Sequence, residues 1–105
     1  MDHWEQALAA AQRRTELKVR LAHKVARGEM DQLTAAERFR DLNETNPDFN
    51  WSQFRKLFSA PSDKERSCLQ VIGFVEMTLE SKPEQARAQR QRLEAELQQA
   101  RHRSP

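Results

Sequence analysis

No tyrosine, a single cysteine and only two glycines occur in 105 residues, and each scarcity removes an option. A lone cysteine, Cys68, can close no disulfide within the chain, so nothing points to an oxidising compartment and a cytoplasmic location is the expectation. With Gly28 and Gly73 as its only glycines, the chain has no glycine-rich loop to cradle a phosphate. Long hydrophobic runs are missing as well. The longest apolar stretch, VIGFV, falls far short of the roughly 20 residues a membrane-spanning helix needs, and no membrane contact is expected. The opening MDHWEQALAA carries acids and a tryptophan where an export signal has a basic flank and then an apolar segment.

Reactive constellations are equally sparse. His3, His23 and His102 lie far apart, with no cysteine or carboxylate at metal-ligand spacing. Cys68 sits in an apolar run that disfavours its thiolate. Carboxylate pairs such as Glu94 and Glu96 lie on polar helical segments, where nothing would separate their pKa values into acid and base roles. No metal, no cofactor and no enzymatic activity are expected.

What the chain does have is charge in helical patterns. Charged residues make up 32% and hydrophobic residues 37%, a balance that suits helices with thin apolar stripes. The expected fold is all-α: a compact orthogonal or bundle-like domain of about five helices with a polar C-terminal helix. Residues 1–81 form the expected helical core, and 82–105 a polar helix with a short tail.

Helix starts are marked by a capping residue followed three positions later by Glu or Gln. Asp2 with Glu5 opens the first helix, which Gly28 ends. Thr34 with Glu37 opens the second, which stops before Asn46-Pro47. Asn50 with Gln53 opens a short third helix that ends before Ala60-Pro61. Ser62 with Glu65 opens the fourth, running to about Leu79, and Ser81 with Glu84 the fifth, with Pro83 inside its first turn.

Positive charge gathers in two places. Residues 13–27 hold Arg13, Arg14, Lys18, Arg20, Lys24 and Arg27 against Glu16 alone, and 82–103 carry a smaller excess, while the remainder is acidic. The six bases alternate with Leu17, Val19, Leu21, Ala22 and Val25 in a basic amphipathic helix; such a stretch is most often a solvated face, and the bases are otherwise the candidate contacts to an acidic protein surface or to nucleic acid.

Two further segments suggest binding. In FNWSQFRKLF (49–58), Trp51, Phe54, Leu57 and Phe58 share one face, while Ser52, Gln53, Arg55 and Lys56 point away from it and could read DNA if the third helix follows the second as in a helix-turn-helix. The segment 31–59 holds five acids and four bases, however, and a net negative charge is a poor basis for phosphate binding. In SCLQVIGFVEMTL (67–79) the apolar residues run nearly all round the helix. Trp4, Leu8 and Leu57 are among the side chains available to cover it, and Val71, Phe74 and Met77 are expected to remain for a partner or a second copy, with Leu93 and Leu97 of the fifth helix joining them. The expectation is a small non-catalytic regulatory protein that binds another protein, such as a transcriptional regulator, as a dimer. The alternative is a helix-turn-helix DNA-binding regulator using residues 34–59.

Overall fold

The computed structural model describes residues 2–103. They form five helices and, among the described residues, no strand: α1 (His3–Ala26), α2 (Gln32–Glu44), α3 (Trp51–Leu57), α4 (Asp63–Thr78) and α5 (Pro83–Arg103). The fold is the expected all-α bundle.

Local chemistry sets most boundaries. The side chains of Asp2, Asn50 and Ser62 accept hydrogen bonds from the backbone N–H groups of Glu5, Gln53 and Glu65 at 2.9, 3.0 and 3.2 Å, satisfying donors that have no partner inside the helix. Gly28, at φ +74°, ends α1: its N–H reaches Val25 O and that of Glu29 reaches Lys24 O, the paired bonds of a left-handed helix stop.

Two starts differ from expectation. α2 opens at Asp31, whose carboxylate accepts from Thr34 N at 2.7 Å, so Thr34 lies inside the first turn. Asp is the stronger cap, and the Thr34 N–H holds the Asp31 carboxyl below its usual pKa. α5 begins on Pro83, with Lys82 O accepting the first helical bond from Ala86, which leaves Ser81 one residue too far out to cap.

α4 is the axis around which α1, α2, α5 and α3 pack. Its Cys68, Val71, Ile72 and Val75 meet Ala22 and Val25 of α1, Ala35, Ala36 and Phe39 of α2, and Leu93 and Leu97 of α5, all buried. α5 runs antiparallel to α4, held at both ends by ion pairs, Arg90–Glu76 at 2.8 Å and Arg101–Glu65 at 2.9 Å. The Arg92 guanidinium donates to Val25 O at 3.1 Å, and Gln32 donates to Leu93 O at 2.7 Å, so α5 is also tied to α1 and α2. Residues 82–103 thus share the core of the preceding helices.

This packing corrects the expected interface. Val71, Leu93 and Leu97 are internal, and Phe74 is half-buried with its ring edge-on to Phe39 at 5.2 Å. Three alanines facing α4 let the helices approach closely, so few large side chains suffice to cover it. Of the five expected residues only Met77 is substantially exposed.

Candidate functional site

The exposed apolar surface lies elsewhere. Residues 4, 8, 11, 15, 18, 22 and 25 of α1 alternate spacings of four and three, which aligns them along one side of the helix. The C-terminal part of this line, Lys18, Ala22 and Val25, meets the bundle. The N-terminal part continues past it: residues 2–9 and 11–13 are exposed, with Trp4 71% and Leu8 46% accessible. Another side of this half, including Ala7, Ala10 and Arg14, borders the turn at Asn46, Pro47 and Asp48 across an open cleft. The Cα radius of gyration, 14.6 Å, is somewhat larger than the roughly 13 Å of a compact domain near this length. Trp4 and Leu8 therefore do not cover α4. Leu57 does not either, being 68% exposed on the outer side of α3.

A second feature is the groove between α1 and α2, about 390 Å³. Leu17 and Leu21 of α1 and Leu42 of α2, all half-buried, form its floor. Exposed Arg20, Lys24 and Arg38 stand at its rim with one acid, Asp41.

The bases of 13–27 divide into two sets. Arg13, Arg20, Lys24 and Arg27 are exposed on the outside of α1. Arg14 turns towards the bundle and reaches Thr45 O at 3.5 Å. Lys18 points inward, where its ammonium donates to Asn43 Oδ1 at 2.6 Å and lies 5.6–5.9 Å from the ring centres of Phe39, Phe49 and Phe74. Asn43 in turn donates to Gln70 at 3.0 Å, completing a chain across α1, α2 and α4. Burial, reinforced by the nearby Arg14, lowers the Lys18 pKa to about 8. Lys18 is thus half-buried and engaged in the internal packing, unlike the four exposed bases.

α3 forms a satellite cluster. Phe54 is buried, with Phe49, Trp51 and Phe58 around it at ring separations of 5.4–5.6 Å, and Phe49 meets Trp51 at 4.8 Å. Arg55 is clamped by two bonds, 2.9 and 3.2 Å, to Asp63 at the start of α4 and lies 5.6 Å from the Trp51 ring. Its guanidinium, with help from Arg66, holds the Asp63 carboxyl at a pKa of about 2. Ser52, Gln53 and Lys56 are exposed. α3 packs only lightly on the other helices, α4 among them.

Burial raises the Cys68 thiol to a pKa of about 11, leaving it protonated and unreactive near neutrality. Among the described residues no three His, Cys, Asp or Glu side chains gather where they could hold a metal, and no helix is long and apolar enough to cross a membrane. No protein-family model matches the chain, and neither a curated protein nor a solved structure is significantly similar to it.

Proposed function

We propose that the chain is a small non-catalytic protein that regulates a target by binding it, with the overhanging half of α1 as the docking helix. The observation that carries this reading is the position of Trp4 and Leu8, which continue the bundle-facing line of α1 into solvent at coiled-coil spacing. A helix laid along that line, from a target or from a second copy, would bury both side chains as α4 buries Ala22 and Val25. Trp is also over-represented among residues that dominate binding energy.

Because both side chains face water, Trp4→Ser with Leu8→Ser leaves the core intact. The double variant is expected to melt with the wild type but to lose dimer formation in sedimentation, or the partner retained from nuclease-treated lysate by the tagged protein. Wild-type protein that is monomeric and captures nothing, or capture unchanged in the variant, overturns the reading.

The DNA-binding alternative draws on exposed Ser52, Gln53 and Lys56. Against it, the Arg55 guanidinium is engaged by Asp63 and the segment 31–59 carries more acids than bases. Sequence-specific binding of a short duplex, lost in Gln53→Ala with Lys56→Glu, would restore it.

A further inference from the structure

Resting on the reading of the chain as a protein-binding module, we infer that the α1–α2 groove is a second docking site, built for an acidic amphipathic helix of a separate chain. Its volume, about 390 Å³, is in the range of binding clefts and would admit a few side chains from one helix face. The floor is apolar and only half-covered: Leu17, Leu21 and Leu42 stop between core and solvent. Arg20, Lys24 and Arg38 flank that floor from both helices, and Asp41 alone opposes them. An occupant needs leucine-like residues along one side and carboxylates on its flanks, which is the pattern of a helix laid in a groove.

Two other occupants fit less well. A nucleic-acid backbone is matched by bases but gains nothing from a floor of three leucines. A second copy offers an acidic apolar segment of its own in Asp2, Trp4, Glu5 and Leu8. At roughly 100° per residue, however, Trp4 and Leu8 lie on the opposite side of α1 from Leu17 and Lys24. Two antiparallel α1 helices related by a two-fold axis touch through one common side, so they cannot place each copy's segment in the other's groove.

The test uses the full chain and three probes: a helix-forming peptide of about 15 residues with leucines along one side and glutamates on its flanks, a same-charge peptide with serines for the leucines, and a short DNA duplex. Anisotropy should show the leucine peptide binding at least tenfold more tightly than the serine peptide. Arg20→Glu with Arg38→Glu, both at exposed positions, should weaken the leucine peptide at least tenfold while leaving the melting temperature unchanged, and added salt should weaken wild-type binding. Equal binding of the two peptides, or preference for the duplex, overturns the inference and makes the surface a general polyanion face. Self-association abolished by the charge reversal overturns the choice of a separate chain. Failure of the leucine peptide while Trp4-dependent capture persists removes the groove alone, and loss of that capture with peptide binding intact removes the α1 docking helix alone.

Discussion

Lys18 is a cation held among three phenylalanine rings with an amide, and no carboxylate, as its hydrogen-bond partner. Its pKa is about 8 in the folded chain against 10.5 when unperturbed, so between those values the unfolded state binds more protons and stability rises with pH. Cys68 acts in the opposite sense: its pKa rises from 9.0 to about 11, so above pH 9 the unfolded state sheds the proton first and stability falls. Between pH 8 and 9 the Lys18 effect is the larger of the two and, screened in part by solvent, should add less than about 1 kcal/mol, with Cys68 opposing it by a smaller amount. Urea unfolding across that interval should show a net rise in wild type, a larger rise in Cys68→Ala, and a slight fall in Lys18→Met, where only the Cys68 effect remains. A flat wild-type response would mean that the ammonium is solvated.

At the scale of the element, α3 should behave as a clip on the bundle. Phe54 is the buried centre of its aromatic cluster, while Trp51 is half-buried. Phe54→Ala is expected to cost about 3 kcal/mol, with Trp51→Ala costing less, and Ser52→Ala or Gln53→Ala within about 0.5 kcal/mol. Chemical denaturation of the four variants checks the ranking, and equal losses at Trp51 and Phe54 would contradict it. The helices themselves were legible in the sequence, because capping is local: Asp2, Asn50 and Ser62 act within one turn of themselves. Thr34 misled because its spacing to Glu37 imitates a cap, while Asp31 three residues earlier is the better acceptor. The cover of α4 was not legible from a count of large apolar residues, since Ala22, Ala35 and Ala36 close the gap by letting backbones approach.

For the whole molecule, the decisive quantity is where each helix ends relative to its neighbours, and that is a tertiary fact. Trp4 and Leu8 have the composition of core residues, and only the overhang of α1 places them in water. The spacing from Trp4 to Val25 was present in the sequence as a single line, but nothing local marks where the bundle stops covering it. The groove is of the same kind, since Arg38 and Leu42 join the basic stretch of α1 only once α2 folds back beside it. Tryptophan emission reports the outcome directly: Trp4 should fluoresce as a solvated indole in the isolated protein and shift to the blue when a partner covers it, with Trp51 as the internal comparison. No shift on saturation with a captured partner would place the contact elsewhere.

The division of α1 into an anchored and an uncovered half also bears on how fast a partner could be engaged. A short peptide in water must first form a costly helical nucleus, and for its length the segment 3–13 would be marginal alone. Here the segment from Lys18 to Val25, about two turns, is already fixed by packing, and the alanines at 7, 9, 10 and 11 favour propagation from it. The overhang is a formed helix end whose nucleus is supplied by the packed half. Its amides should exchange with solvent in a gradient, fastest near His3 and slowest towards Lys18; partner binding should flatten that gradient, and the full chain should associate faster than a peptide of the same sequence.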